Sequence, residues 1–151
     1  MARLKNALRG HFIAPWTKGE TEAPTEGFLE LAHFISDVSD DTDEETDDTG
    51  FYDGDGTKET TVIGVSGSYS FEGFYDQEDP AMAYIAGLKY KLGDERKVWH
   101  RVVSADGKKE WVGVAAVSGI VAGSGAATEY EAFSCTVSYN QIPEEKDLTT
   151  P

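Results

Sequence analysis

The sequence is short of most things that chemistry at a fixed site needs. It has one cysteine, Cys135, which excludes an intrachain disulfide framework and a multi-cysteine zinc site. Its three histidines, His11, His33 and His100, show no metal-ligand spacing. The GVSGS stretch misses the nucleophile-elbow pattern because Ser68 stands where the last glycine belongs. The run from Gly123 to Thr128 fails the dinucleotide pattern and follows no βαβ unit. There is no run of ~18 apolar residues to cross a membrane. No continuous apolar stretch follows Arg3, Lys5 and Arg9, so the start does not read as a secretory signal. Bases are scarce, with 13 Lys and Arg against 28 Asp and Glu and a net charge of −15. That balance disfavours specific binding to nucleic acid, which needs a basic surface, and disfavours anionic membranes. The expectation is a protein with no catalytic residues, no cofactor and no metal.

What is present is one domain's worth of chain, 151 residues with 39% apolar composition. The acidity is local. Ten acids and no base lie between Asp37 and Asp55, and the rest of the chain is only mildly acidic. Like-charge blocks are usually solvated, because packing them together costs Coulomb and desolvation energy. Residues 38–57 therefore read as a long acidic loop. The Asp53-Gly-Asp-Gly start invites a calcium reading, since carboxylates in alternation are hard-cation ligands. Counted from Asp53, an EF-hand loop puts Lys58 where glycine belongs and Gly64 where glutamate belongs, so the pattern fails.

Around that loop the periodicity is mostly that of strands. Residues 1–26 read as an arm with turns, anchored by Phe12, Ile13 and Trp16, that docks on its own domain or on a neighbour. Residues 27–37 read as one strand or two short ones. Residues 60–72 alternate, with Thr61, Ile63, Val65, Tyr69 and Phe71 on one face and serines on the other. Residues 79–92 read as a helix capped by Asp79, opened by Pro80 and closed by Gly93, with Met82, Ile85, Leu88 and Leu92 as its stripe and close packing at Gly87. Arg96–Ser104 and Lys109–Val117 flank the turn dipeptide Asp106-Gly107, a hairpin signal. In the strand over 128–140, Phe133, Cys135, Val137 and Tyr139 share one face while Ser134, Thr136, Ser138 and Asn140 share the other. Cys135 is read there as a small buried hydrophobe, not a nucleophile. Residues 141–151 read as a polar tail. The sum is a mainly β, antiparallel sandwich or barrel with one packed helix.

Four stretches in order carry a resemblance: MARLKNALRG, then TVIGVSGSYSFEGFYDQEDPAMAYIAGLKYKLG, then RKVWHRVVSADGKKEWVGVAAVS, and last TEYEAFSCTVSYNQIP. The chain resembles the tail tube (major tail) proteins of long-tailed phages of Gram-positive hosts, over roughly residues 58–143. The resemblance implies a single tail-tube domain in a virion tail, made in the host cytoplasm and partnered by copies of itself and by other tail proteins at the tube ends. It implies six-subunit rings stacked into a tube, with strands lining a lumen through which DNA passes on ejection. Arms and loop then bridge subunits and rings. Candidate contacts are Arg3, Lys5, Arg9, Phe12, Ile13 and Trp16 of the arm and Asp41, Asp43, Glu44, Asp47, Phe51 and Tyr52 of the loop. One arrangement sets the acidic loop against the basic arm of an adjacent ring; another leaves it solvated. Glu72, Glu110, Glu129 and Glu131 lie on or beside strands and are candidate lumen acids, or outer-surface ones. The competing function is a monomeric acidic β-sandwich binding module, with or without a calcium requirement.

Overall fold

In the computed structural model the described residues are 3–24, 26–50, 52, 54 and 56–147. They form ten strands and one α-helix. The order is β1 (Gly10–Pro15), β2 (Leu29–Glu30), β3 (Ile35–Asp40), β4 (Asp43–Thr49), β5 (Glu59–Ser66), β6 (Ser68–Phe74), α1 (Pro80–Gly87), β7 (Lys97–Val103), β8 (Lys109–Ala122), β9 (Ala132–Tyr139) and β10 (Glu144–Asp147). The main sheet is antiparallel throughout, in the order β2-β1-β7-β8-β9-β6-β3. β8 is long enough to hold β7 on one edge and, on the other, β9 from Ala115 onward and β10 over Lys109–Val112. The β7–β8 turn falls at Asp106-Gly107, as the sequence predicts, with Gly107 at positive φ.

Alternation decides which side chains are inside. β9 buries Phe133, Cys135, Val137 and Tyr139 and turns Ser134, Thr136 and Ser138 the other way. The sheet curls until β1 and β6 face each other, so the His11 ring meets the rings of Tyr69 and Phe71 at 5.2 and 5.1 Å. Helix α1 closes the core with Ala81, Met82 and Ile85. The Asp79 side chain accepts from the Met82 N–H and Pro80 opens the helix, which satisfies its first turn. Each large side chain buried in this way contributes roughly 1.5–3 kcal/mol. A smaller cluster sits on the opposite face, where Trp16, Ala23 and Phe28 fold over Ala14, Trp99 and Val112.

Several elements differ from the sequence reading. The acidic segment 38–57 is not a loop over most of its length. The β3–β6 ladder steps past 41–42 and Gly67, then continues as the β4–β5 ladder from Asp43↔Ser66 to Thr49↔Glu59. Backbone pairing is indifferent to side-chain charge when those side chains stay in water, and every β4 side chain is exposed. Phe51, Asp53 and Asp55 lie outside the described residues, as do 148–151 of the tail. Residues 60–72 are two strands, because Gly67 breaks them. A Cβ at Gly67 would press on the Tyr139 ring, and its carbonyl accepts from the Tyr139 N–H. The helix ends at Gly87 instead of Leu92; Leu88 is buried, but Leu92 is exposed and a Cβ at Gly87 would touch nothing. Residues 27–37 resolve into β2 and the start of β3. The N-terminal arm contributes β1 to the sheet, and the tail contributes β10.

Candidate functional site

The face of β8, β9, β6 and β3 that points away from the core is lined with hydroxyls. One cross-strand row reads Ser118, Thr136, Ser70, Ser39. The next carries Ala116, Ser138 and Ser68, and the Ser68 and Ser138 hydroxyls lie 3.3 Å apart. Acids sit at the margins. Glu72 stands between Ser134 and Asp37 at one end, and Asp41 accepts from the Ser70 hydroxyl at the other. No Lys or Arg stands among these positions. The arrangement offers many weak donors and acceptors, a negative rim and no cation to hold a phosphate. It has no paired nucleophile and base. Burial pushes the Cys135 thiol up to about 12, which leaves it an inert core residue. Among the described residues no three metal-ligating side chains come together.

The four acids predicted to face a lumen part company. Glu72 lies on the hydroxyl face and is exposed. Glu110 shares that side of β8 with Ala116 and Ser118 but is covered: only 9% exposed, it is bonded to Arg101, whose guanidinium stacks over Phe12 and Phe28 at 5.3 and 5.8 Å. The alternation that places Glu110 on that side of β8 also places it on the face that Trp16, Ala23 and Phe28 cover, a covering the sequence pattern did not reveal. Glu129 and Glu131 are in the β8–β9 connection, off the strand face. They line a hollow of about 400 Å³ with Gly123 and Gly125. Ser39, Ser70, Ser118 and Thr136 were missing from the predicted site. For Ser70 and Thr136 the signal is the hydroxyl alternation of β6 and β9; Ser39 and Ser118 join them only through the cross-strand register, which no local pattern encodes.

The predicted contact residues fall into three groups. Arg3, Lys5 and Arg9 are exposed, with Arg9 over the Trp111 ring at 5.8 Å. Phe12 and Trp16 are half-buried against Arg101 and Lys97, whereas Ile13 is fully buried in its own core and has no surface to give a neighbour. Asp43, Glu44, Asp47 and Tyr52 are exposed on the β4–β5 ribbon and its tip, and Asp41 stands at the ribbon's base. The basic arm and the ribbon lie toward the same end of the sheet, near enough that the Arg9 charge helps hold the Asp40 carboxyl below its ordinary range, after the Thr42 hydroxyl and N–H. Exposed apolar side chains also stand on the ribbon: Val62, Ile63 and Val65.

No family model matches the chain, and no curated protein matches it. Solved structures do. A chain from the tail of an empty GTA particle, computed with helical refinement and C6 symmetry, aligns with a TM-score of 0.69 at 15% identity, covering 96% of this chain and 99% of that one. A chain from the virion of a native gene transfer agent particle aligns with a TM-score of 0.63 at 14% identity, over 79% of this chain and 88% of that one. A chain of the anti-feeding prophage cap, which terminates that tube, aligns with a TM-score of 0.58 at 13% identity, over 97% and 93%. The fold of this chain is therefore the one found in tails and tubes of phage-like particles.

Proposed function

We propose that the chain is a structural subunit of a virion tail tube, in which copies form six-membered rings that stack. The observation that carries this reading is the hydroxyl face of β8, β9, β6 and β3, backed by a full core. A sheet of this kind suits the wall of a water-filled channel. The outer edge of β3 has no strand partner among the described residues, and pairing between copies removes such an edge. The shared fold supports the same conclusion. A wall of hydroxyls with marginal acids and no base repels phosphates weakly and binds none, so DNA passes without sticking. The ribbon, the arm and other tail proteins at the tube ends make the remaining contacts.

The test is electron microscopy of the purified protein across a concentration and salt series, read with light scattering. Rings or tubes with a central hole are expected. A monomer at every concentration, with no assembly even on pre-formed tail ends, sinks the reading.

A further inference from the structure

Resting on the tail-tube reading, we propose that the β4–β5 ribbon of one copy docks on the Lys89–Leu92 turn of a second copy. The turn is a built surface. Arg96 donates through Nε to the Lys91 carbonyl at 2.9 Å and through Nη1 to the Val117 carbonyl at 3.2 Å, and its Nη2 takes the Lys89 carbonyl. That clamp ties the turn's backbone to β8 and leaves its side chains outward. Tyr90 and Leu92 are 88% and 83% exposed. Lys89 lies over the Tyr90 ring at 5.7 Å, and among the described residues neither Lys89 nor Lys91 forms an ion pair. A tyrosine between two unpaired lysines, on a backbone held by Arg96, is an anchor type favoured at interface centres, and Leu92 extends its apolar surface.

The ribbon is its complement. β4 presents Asp43, Glu44, Glu45, Asp47 and Asp48 to solvent with no base beside them, and β5 presents Val62, Ile63 and Val65. Two strands alone are marginal in water, so a partner surface is needed to hold them. Acids then meet lysines, and the β5 apolar residues meet Tyr90 and Leu92. The chain's own turn is out of reach. Lys97, Ala116, Ser138 and Ser68 share one row of the sheet, β7 runs from that row in the direction the ribbon takes, and the turn precedes β7. A ribbon therefore points away from its own turn, and a copy displaced along the strands brings the two together. Such a contact is heterologous, the kind that builds rings and stacks. The basic arm competes poorly for this role in a stack, because it lies at the ribbon's own end.

The experiment is zero-length carbodiimide cross-linking of an equal mixture of ¹⁴N- and ¹⁵N-labelled full-length chain, read by mass spectrometry beside sedimentation velocity. Mixed-isotope cross-links between the β4 acids and Lys89 or Lys91 are expected. Lys89→Glu with Lys91→Glu, or Glu44→Lys with Asp47→Lys, should each weaken association at least tenfold, and mixing the two reversed chains should restore it. All four positions are exposed, so the folds of the variants are checked by near-UV circular dichroism and should match wild type. Rings or tubes whose cross-links bypass the turn for Lys5, or that form equally well from the reversed chains, overturn this contact and leave the tail-tube reading standing. A wild-type mixture that gives no mixed-isotope cross-link at any concentration overturns the contact, and the absence of rings under the microscope then counts separately against the tube.

Discussion

At the residue scale the least expected feature is a pair of histidines in the core. His11 and His100 stack with centroids 5.6 Å apart, walled by Tyr69, Phe71 and Tyr139, and His100 Nδ1 bonds the Tyr139 hydroxyl. Burial brings His11 down to about 4, helped by the Arg9 charge, and brings His100 down to about 3, helped by His11. Both rings are therefore neutral in the folded chain at neutral pH. Unfolded imidazoles take protons near 6.5, so below that pH the unfolded chain binds more protons than the folded one. Stability from these groups is present above about 6.5 and is lost as pH falls through the folded values. His100→Phe should cost roughly 1–3 kcal/mol at pH 7, because the Tyr139 hydroxyl is left unpaired. It should also shrink the fall in stability between pH 7 and pH 5 by about half, since one of two rings no longer titrates. Urea unfolding at several pH values in that window, above the carboxylate range, checks this; an equal fall in both proteins would show that the pair is not responsible.

At the element scale the ribbon is the part that adds least to the fold. Its outer ladder runs seven β4 residues, roughly 23 Å at strand rise, and among the described residues none of its side chains enters either core cluster. Replacing 43–66 with Asn-Gly, a turn matched to a two-strand hairpin, should leave the melting temperature within about 5 °C of wild type. Concentration-dependent assembly should be lost. A large drop in melting temperature, read by calorimetry, would mean that the ribbon packs on its own domain. The ribbon also marks what was legible in the sequence. Periodicity located α1 and the faces of β6 and β9, because in those elements one face is buried and the pattern reports burial, and the Asp106-Gly107 turn dipeptide located the β7–β8 hairpin. β4 carries no alternation, since both its faces are in water; only its partner strand makes it a strand. The helix end was misplaced for a related reason. Lys89–Leu92 has helical residue types, but Arg96 takes its carbonyls in a turn, a contact between positions that periodicity does not link.

For the whole molecule, the charge pattern separates the face proposed to line the channel from the ribbon proposed to meet other copies. The acids that give the chain its −15 are concentrated on the ribbon, not across the hydroxyl face. The resemblance made four acids candidates for a lumen or for the outer surface, but one of them is buried in an ion pair and two sit in a connection. The hydroxyl face is mostly neutral, and under the proposed function its repulsion of phosphate comes from the absence of bases together with acids at the margins. This makes the wall easy to convert. Ser39→Lys with Ser118→Lys places two cations on one row of the exposed face without touching the core or the ribbon. In the proposed six-membered ring those lysines would line the channel with phosphate-binding charge. Tubes should still form, because both side chains stand on the sheet face, whereas the β3 edge pairs through backbone groups and the ribbon is unchanged. They should now retain double-stranded DNA, and retention should fall steeply with added salt as counterion release demands. Wild-type tubes should retain none. Co-sedimentation of tubes with labelled duplex across a salt series reads the difference. If the lysine tubes bind no more than wild type, or bind only on their outer surface under the microscope, this face does not line the lumen, and the opposite, helix-covered side of the sheet becomes the one to test.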